Sequence, residues 1–339
     1  MSELPRGLRD FEVGESFTGF FVIRRKELRT KKDGGLYLAL EFGDRTGRLS
    51  GNIWEEAERL YHDLSDGGVV KLQGVIENYR DSKQIVVKRL RPIHKDEVVV
   101  PEMFIACSPG EKDENFARLL ALIGLLKNPD LKRLLDAFFT DELFAEAFAK
   151  APGGKLWHHN RLGGLLEHTL SLARLARLLG RLYPELDKDL LLTGALLHDI
   201  GKVEEYRYET HIDYTDRGRL VGHIPLGSQW VAERAAKLEN FPPALLDQVM
   251  HLVLSHQAEH GSPIQPATKE AFLLHYADQI DSKMDALRRI SDEPGSGRWR
   301  YVRLLERYVD IGEGSSTGDD RDAQLTRRVG AELLSYRTG

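Results

Sequence analysis

Hydrophobic and polar positions in residues 11–95 follow the short periods of β-strands, with turn residues between the runs. Residues 36–42 alternate apolar with other side chains, the pattern of a strand with one buried face. The predicted strands cover residues 17–23, 36–42, 49–54, 69–79 and 84–90. A helix is predicted at residues 55–64, between the third and fourth strands. This order predicts a five-stranded OB-fold barrel, a fold whose surface and loops bind oligonucleotides.

From about residue 113 the apolar spacing changes to the 3.6-residue period of helices. The predicted helices cover residues 116–126, 131–139, 143–148, 165–179, 189–200, 225–238, 244–256 and 269–290, with a small hairpin at 206–220. The pattern therefore predicts a two-domain α+β protein with a barrel followed by an all-α bundle. The predicted boundaries are 1–95 for the barrel, 96–112 for a linker, 113–311 for the helical domain with its core at 150–290, and 312–339 for a tail of unassigned role.

The charge of the chain is distributed unevenly between these regions. The 339 residues carry 48 Lys and Arg against 53 Asp and Glu, a net charge of −5. Residues 1–95 hold 18 basic against 15 acidic residues, so this region is at +3 and the remainder at −8. This balance argues against a protein that coats nucleic acid through bulk charge, but it favours an anionic partner at the N-terminal end.

The compartment and the metal chemistry are both limited by the residue types present. A single cysteine, Cys107, excludes an internal disulfide and a thiolate-based metal site. No apolar run approaches the ~18 residues of a membrane span, and the first ten residues lack the apolar segment of a secretion signal. We therefore expect a cytoplasmic protein that does not enter a membrane.

Ten of the twelve histidines lie between His158 and His275, about a third of the chain. The sharpest pattern is His198-Asp199, which follows the strongly apolar run at residues 190–197. Two ionisable residues at the end of a buried helix are costly unless they are paired or bound to an ion. This dipeptide is therefore a candidate metal site.

Four more candidate ligands stand beside apolar runs on other predicted helices: His168, His223, His256 and Asp278. Together with His198 and Asp199 they are numerous enough to hold two divalent cations with one carboxylate bridging. Imidazole and carboxylate donors without sulfur suit manganese, iron, cobalt, nickel, magnesium or zinc. The alternative is a structural network of histidines and aspartates.

The order His…His-Asp…Asp over residues 150–290 resembles the HD-domain superfamily of metal-dependent phosphohydrolases. The resemblance implies an all-α HD-domain helical bundle after the OB barrel. It also implies that His168, His198, Asp199 and Asp278 hold one ion. A second ion would then be held by Asp199, His223 and His256, which makes Asp199 the shared, catalytic ligand.

Several polar residues near these ligands are candidates for contact with substrate. Lys202 follows Asp199 and is predicted to neutralise charge that develops on the phosphoryl group, a catalytic role. The alternative is a solvated lysine at a helix end. His159 and Arg161 are predicted to bind phosphate or base, or else to cap a loop. His211 and Arg219, on the predicted hairpin, are further candidates for substrate binding or are simply exposed.

The predicted barrel carries cations and aromatic residues that suit a nucleic-acid strand. The candidates are Arg24, Lys31, Lys32, Tyr37, Trp54, Tyr79, Arg80 and Lys83. Aromatic rings can stack on bases, and the loops of OB folds often contact the ligand. Each ring is alternatively a core residue, and each cation is alternatively part of a solvated face.

The pair of domains resembles the YhaM family of cytoplasmic bacterial 3′→5′ exoribonucleases. The strings that carry this resemblance are residues 31–47, 163–169, 198–202 and 218–224. It implies manganese-dependent removal of nucleotides from the 3′ end of single-stranded RNA, with single-stranded DNA as a further candidate and the OB domain gripping the strand. Residues 312–339 match nothing in that family, and the oligomeric state stays open.

Two alternative functions remain at this point. One is a phosphohydrolase of a small nucleotide or cyclic dinucleotide, in which the OB domain regulates activity. The other is a non-catalytic nucleic-acid-binding protein. The complete ligand set favours an enzyme, and the basic, aromatic barrel favours the exonuclease.

Overall fold

The computed structural model describes residues 4–79, 82–292 and 298–312. The described residues divide into two compact units between Lys283 and Met284. The first unit contains a β-barrel followed by helices. The described part of the second contains the end of the last helix and a β-hairpin. No helix in the described residues is long and apolar enough to cross a membrane.

Five strands close into a barrel in the order β1-β2-β3-β5-β4. The strands are β1 (Ser16–Thr30), β2 (Leu36–Gly43), β3 (Arg48–Ile53), β4 (Val69–Tyr79) and β5 (Ser82–Pro92). Neighbours are antiparallel except for β3 and β5, which are parallel. Helix α1 (Ala57–Asp63) lies between β3 and β4 in the chain. This topology confirms the predicted OB fold.

The alternation in β2 puts Leu38, Leu40 and Phe42 into the barrel core, where each is buried. Burial of the apolar face fixes the register, because a slip of one residue would turn these side chains to solvent. The pairing of β1 with β2 is interrupted between Ile23 and Arg25 by an irregularity. An irregularity of this kind changes the direction of a side chain, and the residue at this position is Arg24. The guanidinium of Arg24 donates to the carbonyl oxygens of Phe104, at 2.9 Å, and Thr210, at 3.0 Å.

A helical bundle follows the barrel and confirms the second half of the predicted fold. Its helices are α2 (Lys112–Ile123), α3 (Pro129–Phe139), α4 (Glu142–Lys150), α5 (Gly164–Leu182), α6 (Lys188–Leu197), α7 (Lys202–Glu205), α8 (Asp216–Leu220), α9 (His223–Ala235), α10 (Pro243–Ser255) and α11 (Lys269–Asp292). The apolar faces of α2–α6 and α9–α11 meet in one core. Helix α6 is buried along residues 190–197, so His198 and Asp199, which follow it directly, also lie inside the bundle.

Three stretches differ from their predicted form. The predicted hairpin at 206–220 consists of β6 (Tyr206–Arg207) and β7 (Asp213–Tyr214), and its last part is helix α8. Strands β8 (Trp299–Val302) and β9 (Arg307–Asp310) form a hairpin inside the range predicted to be helical. In the predicted linker, Phe104 and Ile105 are buried and pack with apolar residues of the barrel and of the β6–β7 region. Beyond Gly312, the predicted tail lies outside the described residues.

The predicted end of the sixth helix is displaced. Helix α6 ends at Leu197, and the chain turns through residues 198–201 before α7 begins. Gly201 has an ordinary helical conformation, so its role is not to break the helix. A β-carbon at Gly201 would overlap the carbonyl oxygen of His223 and lie 2.8 Å from the backbone nitrogen of Gly227. Glycine is required here because α9 approaches this turn closely.

Gly201→Ala is expected to lower the free energy of unfolding by about 1–3 kcal/mol, because the backbone of α9 would have to move. Urea denaturation measures the change. Gly180→Ala, in the last turn of α5, is the matched control. Its nearest contact is a flexible Lys188 carbon at 3.4 Å, so alanine should be neutral or should stabilise the helix by up to about 1 kcal/mol. If both substitutions change the free energy of unfolding equally, the close approach of α9 to Gly201 is not what requires glycine there.

Candidate metal centre

Five helices and one turn deliver the six predicted ligands. His168 lies in the first turns of α5, and His198 is the C-terminal cap of α6, followed directly by Asp199. His223 is the first residue of α9, and His256 caps the end of α10. Asp278 lies in the middle of α11. Apolar residues next to His198, His256 and Asp278 are held in the core, so these side chains lie inside the bundle.

The structure brings these six residues into two adjacent groups. His168, His198 and Asp278 form the first group, and Asp199, His223 and His256 form the second. In the first, Nε2 of His168 lies 3.1 Å from Nε2 of His198 and 3.2 Å from Oδ1 of Asp278. The sequence therefore identified side chains that converge, although they span 111 positions of the chain.

Asp199 connects the two groups through its two oxygens. Oδ2 lies 3.2 Å from Nε2 of His198, on the side of the first group. Oδ1 lies 3.4 Å from Nε2 of His223 and 3.5 Å from Nε2 of His256. Each carboxylate oxygen thus faces a different set of imidazole nitrogens.

All four imidazoles are held by an acceptor at Nδ1. The acceptors are Asp281 Oδ2 for His168 (2.7 Å), Ala195 O for His198 (3.1 Å), Glu205 Oε1 for His223 (2.9 Å) and Val253 O for His256 (2.8 Å). Carbonyl and ionised carboxylate oxygens cannot donate, so each Nδ1 carries a hydrogen, and in the neutral ring that a metal requires each Nε2 has a lone pair. This arrangement is typical of metal-binding histidines, whose second nitrogen is fixed by an outer partner.

Two buried atoms at the centre have no hydrogen-bond partner among the described residues: Oδ1 of Asp199 and Nε2 of His256. An unpaired buried carboxylate oxygen is costly, and native structures rarely tolerate one. The Nε2 atoms of His168 and His198 face each other, and in the neutral rings their lone pairs repel. A cation in each group would bind the unpaired atoms and the facing lone pairs. The donor set therefore fits divalent metal ions bound by nitrogen and oxygen.

The carboxylates of the centre stay ionised although they are buried. Burial alone would raise the pKa of Asp199, but the positive charges of His198 and Lys202 outweigh it and hold the pKa well below its usual value. Burial alone would likewise raise the pKa of Asp278, but the hydrogen bond and the charge of His168 outweigh it and hold this pKa below its usual value. In His168, the two aspartates Asp278 and Asp281 overcome burial and raise the pKa to about 10. The site therefore attracts positive charge, whether a proton or a metal ion.

Lys202 is buried and donates to Oδ2 of Asp199 at 2.6 Å and to the carbonyl oxygen of Gly153 at 2.7 Å. Burial lowers the pKa of this lysine, but the charge of Asp199 outweighs it and the net direction is upward. The alternative of a solvated lysine at a helix end is wrong. Lys202 thus contacts the carboxylate of Asp199 directly, and its catalytic role stays a prediction.

The two predicted substrate contacts before α5 lie behind the ligands. His159 is buried, and its Nε2 lies 2.9 Å from Oδ2 of Asp281, the same oxygen that holds His168. Arg161 makes two hydrogen bonds to Glu167, at 2.8 and 2.7 Å. Their contact with substrate stays a prediction. Their observed partners belong to the support of His168.

The predicted contacts in residues 206–220, His211 between β6 and β7 and Arg219 in α8, belong to neither ligand group. Nδ1 of His211 lies 3.1 Å from the hydroxyl oxygen of Thr210, which in turn donates to the carbonyl oxygen of Gly67 on the barrel. Arg219 donates to Asp213 at 2.9 Å. Their contact with substrate also stays a prediction.

Sequence reasoning missed two carboxylates that orient ligands. Asp281 is absent from the predicted ligands and contacts, yet it accepts from Nδ1 of His168. Glu205 accepts from both the backbone nitrogen and Nδ1 of His223, at 3.2 and 2.9 Å. The signal for Asp281 was its position one helical turn after Asp278. Glu205 is distant from His223 in the sequence and gave no signal.

The barrel presents one stacked aromatic pair to solvent. Tyr37 and Trp54 are stacked with ring centroids 4.9 Å apart, and Trp54 is 56% exposed. Nζ of Lys31 lies 5.7 Å from the Trp54 ring, and Trp54 lines a groove of about 610 Å³ beside Arg59. Aromatic faces with nearby cations are suited to stacking on bases.

The other predicted barrel contacts are distributed differently. Lys32 and Tyr79 are exposed, as a strand-binding role requires. Lys83 donates to the carbonyl oxygen of Phe11 at 2.7 Å. Arg24 was predicted to contact nucleic acid, but its guanidinium is occupied by the carbonyls of Phe104 and Thr210. Arg80 lies outside the described residues.

Comparison with known proteins agrees with both halves of the chain. Residues 165–283 match the HD domain family, and residues 22–93 match the family of OB-fold nucleic acid binding domains. A solved second OB-fold domain of replication protein A from Methanococcus maripaludis is similar at 20% identity, with a TM-score of 0.23, over 27% of this chain and 98% of that one.

Curated relatives match almost the whole chain. A protein named 3′-5′ exoribonuclease YhaM from Bacillus subtilis strain 168 is 32% identical over 90% of this chain and 97% of its own length. A protein of the same name from Geobacillus sp. strain WCH70 is 31% identical over 90% of this chain and 94% of its own. At this identity and coverage, with both domains matched, the chain belongs to the YhaM family of 3′-5′ exoribonucleases.

Proposed function

We propose that this protein is a divalent-metal-dependent 3′→5′ exonuclease that hydrolyses the phosphodiester bonds of single-stranded RNA. The observation that carries the proposal is the pair of ligand groups joined by Asp199. The relatives named 3′-5′ exoribonuclease support the same reaction. We infer that the protein works in the cytoplasm, and that single-stranded DNA is a second substrate candidate.

The two groups support our proposal of two ions per chain, for which manganese is our choice. His168, His198, Asp278 and Asp199 would hold the first ion. His223, His256 and Asp199 would hold the second. When bound, two such ions supply the Lewis-acid chemistry that phosphodiester hydrolysis needs.

Side chains around the centre hold the proposed metal ligands in position. Asp281 and Glu205 fix His168 and His223, so that the Nε2 lone pairs point to the centre. Lys202 fixes the carboxylate of Asp199 through a 2.6 Å contact and keeps a positive charge beside the position of the scissile phosphate. A cation in a buried site stabilises the negative charge of the transition state more strongly than one in water.

The barrel grips the strand in this proposal, and residues 113–311 hydrolyse it. Residues 1–95 form the gripping domain and residues 96–112 the connection. The stacked pair Tyr37 and Trp54 supplies a surface for bases, with Lys31 and Lys32 beside it for phosphates. Stacking is tolerant of sequence because every base has a π face. That tolerance suits an enzyme that moves along an RNA.

Asp199→Asn is expected to lower kcat/KM for RNA shortening by at least about 10³-fold, because several kcal/mol of transition-state stabilisation are lost with the shared charge. Time courses with 5′-labelled single-stranded RNA and Mn²⁺ measure the rate, and binding of the RNA should survive. Asp247→Asn removes the same charge at an exposed position of α10 and should leave the rate unchanged. Wild-type turnover by Asp199→Asn would remove the proposed centre.

Trp54→Ala is expected to weaken binding of a single-stranded oligonucleotide by about 5- to 100-fold, since base stacking on an aromatic ring contributes ~1–3 kcal/mol. Fluorescence anisotropy measures Kd at fixed ionic strength. Trp299→Ala replaces a tryptophan of similar exposure, 60%, outside the barrel and should bind normally. If both variants bind equally well, the stacked pair does not grip the strand.

Hydrolysis of a dinucleotide should be the same in Trp54→Ala and wild type, because so short a substrate does not reach the barrel surface. A parallel loss on the dinucleotide would place Trp54 in the support of the active centre instead.

A further inference from the structure

Three cations from three different segments converge on one carboxylate outside the metal centre. Nζ of Lys155, in the loop before α5, lies 2.6 Å from Oδ1 of Asp213 in β7. Nη2 of Arg219, in α8, lies 2.9 Å from the same oxygen. Nη2 of Arg207, in β6, lies 3.3 Å from Oδ2. Lys155, Arg207 and Arg219 thus form a basic cluster around Asp213.

The basic cluster carries more positive charge than its carboxylate can offset. The hydrogen bond from Lys155 holds the pKa of Asp213 well below its usual value, so this carboxylate is ionised and contributes one negative charge. Three cations against one anion leave a local charge of +2. Among the residues that the structure describes, the neighbouring acids Glu209 and Asp216 form no ion pair with these cations. The excess indicates an anionic ligand.

Two of the three cations are accessible to a ligand. The side chains of Arg207 and Arg219 are 57% and 54% exposed, and each makes one hydrogen bond to Asp213. A guanidinium has five N–H donors, so both arginines can bind phosphate oxygens as well. Arg217 shows the ordinary arrangement of a surface ion pair, one cation against one anion, because it donates to Glu204 at 2.7 Å.

An aromatic ring limits the positions of the cations. The ring centroid of Tyr214 lies 5.3 Å from Nζ of Lys155 and 5.4 Å from Cζ of Arg219. The ring packs against buried apolar residues and attracts both cations through its π face. Long basic side chains held in this way lose less conformational entropy when they bind a ligand.

The basic cluster adjoins the support of the metal centre. Arg207 lies two positions after Glu205, which accepts from Nδ1 of His223. Arg219 follows Gly218, where a β-carbon would overlap the carbonyl oxygen of Glu205. Strand β6 and helix α8 therefore bring both arginines close to the backbone that orients a proposed metal ligand.

The same segment also contacts the barrel. Tyr206 and Ile212 are buried together with Val22 of β1. The hydroxyl of Thr210 donates to the carbonyl oxygen of Gly67 at 3.1 Å. An RNA that is gripped by the barrel and cleaved at the metal centre has to span the distance between them, and the segment that carries the basic cluster contacts both.

We propose that Lys155, Arg207 and Arg219 bind backbone phosphates of the RNA upstream of the scissile linkage, between the barrel and the metal centre. This inference rests on the exoribonuclease function proposed above. It gives the predicted substrate contact of Arg219 a defined ligand, and it adds Lys155 and Arg207 to the residues that bind the strand.

The test measures kcat/KM with Mn²⁺ on a 5′-labelled single-stranded RNA and on a dinucleotide over a series of salt concentrations. Each phosphate contact with a single strand contributes about 0.7 to the slope of log affinity against log salt concentration. Arg207→Gln and Arg219→Gln should each lower the slope for the long RNA by about 0.7. This change corresponds to about a fivefold lower kcat/KM at tenfold lower salt.

Arg217→Gln is the matched control, because it removes the same charge from α8 but breaks a one-to-one pair with Glu204. Its slope should equal that of the wild type. Asp213→Asn should raise kcat/KM for the long RNA by about twofold to fivefold, because the carboxylate no longer competes with phosphate. All variants should hydrolyse the dinucleotide at the wild-type rate, since its only phosphate is the scissile one, and should unfold in urea as cooperatively as the wild type.

Unchanged slopes in Arg207→Gln and Arg219→Gln overturn the inference, and so does an equal loss in Arg217→Gln. An Asp213→Asn variant that is no better than wild type on the long RNA also overturns it, because a cluster that only stabilises the fold gains nothing from that change. Slower hydrolysis of the dinucleotide would assign the cations to the support of the centre instead.

The two proposals fail in different ways. No shortening of RNA from the 3′ end by the wild type overturns the exoribonuclease function and this inference with it. An active wild type whose salt dependence is the same in all variants overturns the inference alone.

Discussion

A buried carboxylate that needs cationic partners is the constraint on which the rest of this structure depends. Asp199 follows α6, which is buried along residues 190–197, and its two oxygens face two different sets of imidazole nitrogens. Such a group is stable only if cations offset its charge and outer partners fix the surrounding rings. Lys202 offsets part of the charge, Glu205 and Asp281 fix rings, and the proposed divalent ions would complete the first requirement.

The local structure of the bundle follows from this requirement. His198 and His256 both cap the end of a helix, and both donate from Nδ1 to a carbonyl oxygen three residues earlier. In both residues this hydrogen bond turns Nε2 of the ring toward the metal centre. At the start of α9, Glu205 binds both the backbone and the ring of His223. Gly201 allows that helix to approach the turn that carries Asp199.

The sequence predicted the six ligands because each is an imidazole or carboxylate next to an apolar run, and the apolar runs determine the buried ends of helices. The barrel was predictable for a similar reason, since alternation along residues 36–42 fixes which face is buried. The sequence could not predict contacts between residues that are distant in the chain. The burial of Lys202, the support from Glu205 and the occupied guanidinium of Arg24 depend on a tight turn, a distant helix start and an irregularity in β1. None of these has a periodic signature.

The central claim is that one carboxylate bridges two ions. Titration of the metal-free protein with Mn²⁺, followed by electron paramagnetic resonance, tests it most directly. The account predicts uptake of about two ions per chain and a spin-coupled signal from a pair that shares Asp199, replaced in Asp199→Asn by the signal of isolated ions. One ion per chain in the wild type, or two ions without coupling, would contradict it.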